Sequence, residues 1–221
     1  MKHVIRYTIY FTGLFLITIG INMSIASGLG VSPVSAFILP LSKVIQVDLG
    51  TVTTSTYILF VLIQMGLLKK RFKLKNLLQV PFSILFGFFI TWTGSLMMDV
   101  SNQSYLIRLV VLLCSLVICA VGATLYIAMD VVPNPPEGLL LAICERYALP
   151  FSKVKVCSDC LFVTIGFIMI LLCIHNNSMI REGTVIAALC TGQLIGSFSK
   201  MSSDKLKQIA FYHPVKSVLS I

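Results

Sequence analysis

The chain has 221 residues, of which 57% are hydrophobic and 11% charged, with a mean hydropathy of +0.96 and a net charge of +9. Soluble domains carry about 25% charged residues, so this chain cannot cover a soluble surface. The composition therefore indicates an integral membrane protein and excludes nucleic-acid binding, because no soluble domain presents the positive charge.

Spanning helices are predicted first, because a helix that crosses a bilayer needs about 20 mostly apolar residues. Five runs meet this requirement: 7–26, 52–68, 77–98, 109–129 and 156–174. We predict a sixth span at 183–198, which is shorter and less apolar. The first run is too long for the core of a signal peptide, so it is interpreted as a helix that stays in the protein.

Two shorter segments, 33–47 and 134–149, each start at or next to a proline and carry charge. Proline in the first turn is typical of a helix start, since its missing N–H would be unpaired there. Lengths of about 15 residues suit re-entrant or interfacial helices better than complete spans. The alternative is that both segments cross, which gives eight spans.

The distribution of Lys and Arg favours six spans. With the N-terminus in the cytoplasm, 14 of the 17 basic residues lie inside and three outside, as the positive-inside rule expects. We therefore predict a protein of the cytoplasmic membrane with both termini inside and a cytoplasmic tail at 199–221. The basic cluster Lys69–Lys75 predicts contact with anionic lipids of the inner leaflet.

An internal repeat is visible when the sequence is shifted by 102 residues, with ten identities over the 44 positions from residue 20 to residue 63. We predict one transmembrane domain, 1–221, with repeats at about 7–98 and 109–198. Three spans per copy is an odd number, so the second copy starts on the opposite side of the membrane. The predicted fold is thus all-α and polytopic, with about six transmembrane helices in two inverted three-helix repeats, each with a short re-entrant or interfacial helix. Eight spans would make the repeats parallel.

Polar residues inside the apolar segments are the candidates for substrate binding. The repeat pairs Asn22 with Thr124, and Ser35 with Glu137. Asp159 is the acidic residue best placed within a predicted span, and ionisable groups there are usually paired or line a wet cavity. It is either a proton or cation-coupling group or the partner of a local pair with Lys155.

Several stretches also resemble the YczE/YyaS/YitT-like bacterial membrane proteins, and most closely their YczE branch: 28–43, 131–150, 153–159 and 183–196. In that family an acidic residue follows a Gly-x-Gly-Pro motif; Glu137 keeps the acid, but the glycines are absent. Lys155 and Asp159 take the places of an Arg and a Glu. The resemblance marks further residues as structural motif positions: Pro33, Pro135, Gly183 and Thr184. It implies a multi-pass membrane protein of unsettled role, for which transport is often suspected.

The function that we expect is a small permease for an unidentified small solute. The sequence carries no nucleotide-binding loop, nucleophile elbow or zinc motif, so we expect no enzyme activity, cofactor or metal. The seven cysteines are interpreted as small hydrophobic residues. Because six short helices enclose little volume, a homodimer is also considered. The alternatives are a non-transporting accessory or regulatory protein and a substrate-binding membrane subunit of a larger transporter.

Overall fold

A computed structural model describes residues 2–174 and 180–210, with side chains for 4–174 and 180–201. Regular structure in these ranges is helical throughout. The eight α-helices are α1 (Lys2–Ser27), α2 (Pro33–Ile45), α3 (Leu49–Leu68), α4 (Gln79–Leu96), α5 (Tyr105–Met129), α6 (Pro135–Tyr147), α7 (Phe151–Met169) and α8 (Glu182–Ala210). Two short 3-10 turns precede α4, and a π-helical turn, Ile170–Ile174, extends α7.

Five helical stretches in the described part of the chain are long and apolar enough to cross a membrane: Val4–Ser27, Leu49–Arg71, Leu74–Leu96, Tyr105–Met129 and Phe151–Ile174. Their outer faces carry exposed apolar side chains such as Phe88, Leu106 and Leu172. These helices confirm the prediction of a helical, polytopic membrane protein.

Helix α8 covers the predicted sixth span, but it is not among these five stretches. Its first turn holds Glu182, and Gln193 lies in its middle, and both lower its apolar character. The sixth span stays a prediction. The helix continues to Ala210, so it includes the first part of the predicted tail, and residues 211–221 lie outside the described residues.

The short helices α2 and α6 begin at Pro33 and Pro135, as predicted, and are each 13 residues long. Proline at the first helical position supplies a preset φ and has no N–H to leave unpaired. Both helices end at a residue in the left-handed conformation, Gln46 with φ 57° and Ala148 with φ 53°, which stops the helix and turns the chain. The two helices therefore start and end at positions that are 102 residues apart in the sequence.

Helices α1 and α5 pack side by side and cross at small residues. A Cβ on Gly13 would lie 2.6 Å from the carbonyl oxygen of Gly122, and a Cβ on Gly122 would lie 2.6 Å from that of Gly13. Small residues permit this close approach of helix backbones. One helical turn away from these glycines, Cys119 Sγ lies 3.7 Å from the carbonyl oxygen of Ile17. Ile17 and Cys119 are 102 positions apart.

At one end of the bundle, called here the N-terminal end, basic side chains donate hydrogen bonds to the backbone carbonyls at the end of α5. Arg6 donates from Nε to Met129 at 2.7 Å and from Nη2 to Asp130 at 2.6 Å. Lys75 also donates to the carbonyl of Asp130, at 3.4 Å. The start of α1, the end of α5 and the basic segment before α4 therefore lie at the same end of the bundle.

The opposite end carries the matching arrangement on α1. Arg108 donates from Nε to Ser27 and from Nη2 to Gly28, both at 2.7 Å. The first turn of α8 is held at this end too, since the Gly183 amide donates to the carbonyl of Leu29 at 2.8 Å. The chain therefore returns to the opposite end at the starts of α5 and α8.

Candidate functional site

A cavity of about 180 Å³, called here the central cavity, lies beside the first turns of both short helices. Helices α2 and α6 contribute the residues at and just after their N-caps, and α7 contributes two charged side chains. The polar residues from these three helices are Ser32, Ser35, Asn134, Glu137, Lys155 and Asp159. Three of the five predicted substrate-binding residues, Ser35, Glu137 and Asp159, therefore come together here.

Fourteen of the 24 described lining residues form seven pairs separated by 102 positions. These pairs are Ile17 with Cys119, Ile21 with Ala123, Ser24 with Tyr126, Ser32 with Asn134, Val34 with Pro136, Ser35 with Glu137, and Tyr57 with Asp159. The two halves of the sequence thus meet around one cavity. They contribute different chemistry, since the hydroxyl residues Ser35 and Tyr57 of the first half correspond at this shift to the carboxylates Glu137 and Asp159 of the second.

Glu137 lies in the first turn of α6 and accepts a hydrogen bond from the Tyr126 hydroxyl at Oε2. Its side chain is partly buried and lines the central cavity. Tyr126 is a neutral donor, so the positive charge that acts on this carboxylate is that of Lys155. A carboxylate at a helix N-terminus is favoured by the helix dipole, which accounts for part of its stabilisation.

Lys155 and Asp159 form an ion pair on consecutive turns of α7, with Nζ and Oδ1 2.6 Å apart. Their side chains keep 40% and 18% exposure, respectively. The local pair considered from the sequence is therefore present, and both residues also line the central cavity. The two interpretations of Asp159 consequently do not exclude each other.

Aromatic rings form one side of the central cavity. Tyr57 stacks on Phe86 with ring centroids 5.6 Å apart, and Phe162 stacks on Phe37 at 5.8 Å. Of these rings, Tyr57, Phe86 and Phe162 line the central cavity itself. The site therefore combines carboxylates with aromatic and aliphatic surface, as small-molecule sites commonly do.

A second cavity of about 390 Å³ lies at the opposite end of the bundle, beside Lys43, Asp99 and Arg108. Hydrogen bonds from the backbone and side chain of Ser101 lower the pKa of Asp99 below its ordinary range. Ser24 and Val31 line both cavities.

The loop 28–32 lies between the two cavities and is held by several hydrogen bonds, including those from Arg108 and Gly183 described above. Ser24 donates to the carbonyl of Gly30 at 2.8 Å, and the Val31 amide donates to Thr184 Oγ1 at 3.2 Å. Gly30 has φ 134°, and a Cβ there would lie 2.5 Å from the Thr184 amide nitrogen. A glycine is therefore required for this close approach.

Asn22 and Thr124 lie outside the lining of the central cavity. Asn22 Nδ2 donates to the carbonyl of Ile90 at 2.9 Å and to Thr93 Oγ1 at 2.7 Å, which joins α1 to α4. Thr124 Oγ1 donates within its own helix, to Ala120 at 2.8 Å. Asn22 borders the second cavity. Their roles in substrate binding stay predictions.

The predicted motif residues hold the short segments in place. Pro33 and Pro135 are buried at the first positions of α2 and α6. The carbonyl of Pro135 accepts a bond from Gln64 Nε2 at 3.3 Å. Gly183 and Thr184 hold the loop 28–32, as described above. These contacts explain why prolines and small residues mark both short segments.

Sequence reasoning missed Tyr57, Tyr126 and Asn134, which are also among the lining residues of the central cavity. Their apolar or loop surroundings give them no separate signal. The repeat does: Tyr57 is 102 residues before Asp159, and Asn134 is 102 residues after Ser32. Scoring the shifted positions for polar character, rather than for identity, finds them.

Comparison with known proteins places this chain in a family whose function is not assigned. Residues 4–200 match the model of a family of unknown function, DUF6198. The chain belongs to this family. It is 26% identical over 201 residues to the uncharacterized protein YyaS of Bacillus subtilis (strain 168), an alignment that covers 87% of this chain and 92% of YyaS. No solved structure matches the chain. The match to YyaS supports the YyaS-like part of the resemblance seen in the sequence.

Proposed function

We propose that this chain is a small permease whose two halves form inverted repeats around the central cavity. The observation that carries the proposal is the position of this cavity, between the first turns of α2 and α6 and lined by residue pairs 102 positions apart. Secondary transporters with inverted repeats commonly bind substrate near the bilayer midplane, where discontinuous helices of the two repeats meet.

The arginine contacts at the two ends support an inverted arrangement. Arg6 binds the last carbonyls of α5, and Arg108, which is 102 residues later, binds the last carbonyls of α1. Reciprocal contacts of this kind are what a two-fold axis through the crossing of α1 and α5 produces. The short helices exchange partners in the same way, since α2 packs against α7 and α6 packs against α3.

The N-terminal end supports six spans rather than eight. In an eight-span chain the basic segment between α3 and α4 would lie on the side opposite the N-terminus. Arg6 and Lys75 instead donate to the same carbonyl, that of Asp130. We propose that this end faces the cytoplasm, in agreement with the positive-inside rule, and that Lys69–Lys75 contacts anionic lipid there. Placement nearest the YczE branch is part of this proposal.

Both ends of the central cavity are covered by buried loop residues. At the N-terminal end, Val131 and Val132 are 4% and 5% exposed, and Tyr10 donates to the carbonyl of Val132 at 3.3 Å. At the opposite end, the loop 28–32, in which Leu29 and Val31 are 0% and 2% exposed, lies between the central cavity and the second one together with Ser24 of α1. We propose that this is a form closed at both ends, and that the loops 28–32 and 130–134 open in turn during a transport cycle.

Solute flux into liposomes tests this function. Purified protein is reconstituted in liposomes and offered a broad panel of small solutes under proton and sodium gradients. We expect saturable uptake of at least one solute, and loss of that uptake in E137Q and D159N. E182Q is the matched control, because Glu182 is an exposed acid paired with Arg181 away from the cavity.

Absence of flux for the whole panel would contradict the permease. Recovery of flux on addition of a membrane extract would then indicate a substrate-binding subunit that needs a partner. If E137Q and D159N leave a cellular phenotype of the protein unchanged and no flux is measured, the protein has an accessory role.

A further inference from the structure

The charges that face the central cavity do not balance. Three charged residues are found among its described lining residues: Glu137, Lys155 and Asp159. Lys155 and Asp159 neutralise each other at 2.6 Å. Lys155 also attracts Glu137, but one ammonium group cannot balance two carboxylates. With both acids ionised, the lining therefore carries one negative charge in excess, beside the neutral hydroxyl of Tyr126 that donates to Glu137. An ionised carboxylate away from bulk water is costly unless a positive charge is placed beside it.

The other walls of the central cavity favour an organic cation. Tyr57, Phe86 and Phe162 present aromatic rings, and the π-face of an aromatic ring attracts ammonium groups within about 6 Å. Leu116 and Ile195 add aliphatic surface. A hydrated metal ion gains little from such walls, whereas the alkyl part of an amine is buried by them.

The size of the central cavity limits the ligand. Drug-sized molecules occupy pockets of about 300 to 1,000 Å³, and the central cavity has about 180 Å³. The ligand is therefore a compact molecule with a single cationic group.

From these observations we propose that the central cavity binds a small organic monocation, a protonated or quaternary amine, with Glu137 as its counter-ion and the aromatic rings around its alkyl part. This proposal deepens the permease function and rests on it. Tyr126 would keep the Glu137 carboxylate oriented, while the pair of Lys155 and Asp159 sets the net charge of the site.

Binding of a matched series of small ligands tests the proposal independently of transport. The purified protein is placed in nanodiscs of zwitterionic lipid, which avoids adsorption of cations to anionic headgroups. Isothermal titration then compares butylammonium, butanol and butyrate, with methylammonium, tetramethylammonium and phenethylammonium to vary size. We expect saturable binding of at least one ammonium ion, at least tenfold tighter than that of its neutral or anionic analogue.

Three variants make the result specific. E137Q removes the charge while keeping the shape, and we expect affinity for the ammonium ion to fall at least tenfold. E137D keeps the charge, so it separates loss of the charge from a general effect of changing this residue. We expect E137D to retain the preference for cations. E182Q makes the same chemical change at an exposed site and should bind as the original protein does.

Equal binding of butanol or butyrate, unchanged affinity in E137Q, or no saturable binding of any ammonium ion would overturn the proposal. The outcome is separable from that of the permease. Flux of neutral solutes without cation binding would leave the permease standing and refute this inference. Cation binding without flux of any solute would refute the permease and leave the binding site.

Discussion

The crossing of α1 and α5 gives the sharpest prediction about the fold, and the change that tests it is G13A. The new Cβ would lie 2.6 Å from the Gly122 carbonyl oxygen, whereas ordinary contacts begin at 3.4 Å. The backbones must therefore separate by roughly 0.8 Å. Overpacking of this kind costs about 1–3 kcal/mol.

A matched control removes the intrinsic effect of replacing glycine by alanine in a helix, which stabilises by about 0.8–1.0 kcal/mol. G66A is this control, because a Cβ on Gly66 would have no atom within 4 Å. Reversible unfolding by SDS in mixed micelles, followed by far-UV circular dichroism, measures the free energy of unfolding. We expect G13A to be about 1–3 kcal/mol less stable than G66A.

The double variant G13A/G122A tests whether both glycines meet at one crossing. A separation of the helices that accommodates the first Cβ also makes room for the second. We therefore expect the loss in the double variant to be smaller than the sum of the single losses. Equal stabilities of G13A and G66A, or strictly additive losses, would refute the packing described here.

Three further predictions use the same unfolding assay. R6K and R108K should each lower the free energy of unfolding by about 1 kcal/mol, because lysine cannot make the bidentate contact of a guanidinium. Clearly unequal losses would contradict equivalent roles of the two arginines at the two ends of the bundle. Gln64 and Gln79 exchange amide hydrogen bonds at 3.1 and 3.2 Å. Q64L leaves the buried Gln79 amide without this partner and should lower the free energy of unfolding by about 1–3 kcal/mol, whereas Q64L/Q79L removes both amides and should lower it by less. A larger loss in the double variant than in Q64L would refute this. Hydrogen bonds from two threonine hydroxyls lower the pKa of Asp48, the N-cap of α3. The stability that this downward shift contributes should be complete above the ordinary pKa of 3.8 and be lost as the pH falls below that value. D48N should show no such pH-dependent loss.

Much of the backbone arrangement could be predicted from the sequence because it depends on local signals. Apolar length predicted the five long stretches, and Pro33 and Pro135 predicted the starts of the short helices. The 102-residue shift is visible in identities that are mostly small or apolar residues. Such residues are retained where helices approach closely, as at Gly122, so the repeat leaves its trace in packing positions.

The site could be predicted only in part, because its members are joined by tertiary packing. Glu137 and Asp159 stood out as charges in apolar surroundings. Tyr126 did not, since a tyrosine in an apolar helix has no local feature that shows it facing a carboxylate. Asn22 stood out for its polarity, and the structure gives it bonds to α4. Polarity within a span therefore does not distinguish a helix contact from a cavity contact.

The orientation of the two short helices is the central claim, and thiol accessibility tests it most directly. Val47 and Leu149 are exposed, follow α2 and α6, and are 102 positions apart. V47C and L149C are placed singly in a protein without its seven cysteines, and intact cells are treated with a membrane-impermeant maleimide. The inverted arrangement predicts labelling of V47C in intact cells and of L149C only after permeabilisation. Labelling of both from the same side would contradict it.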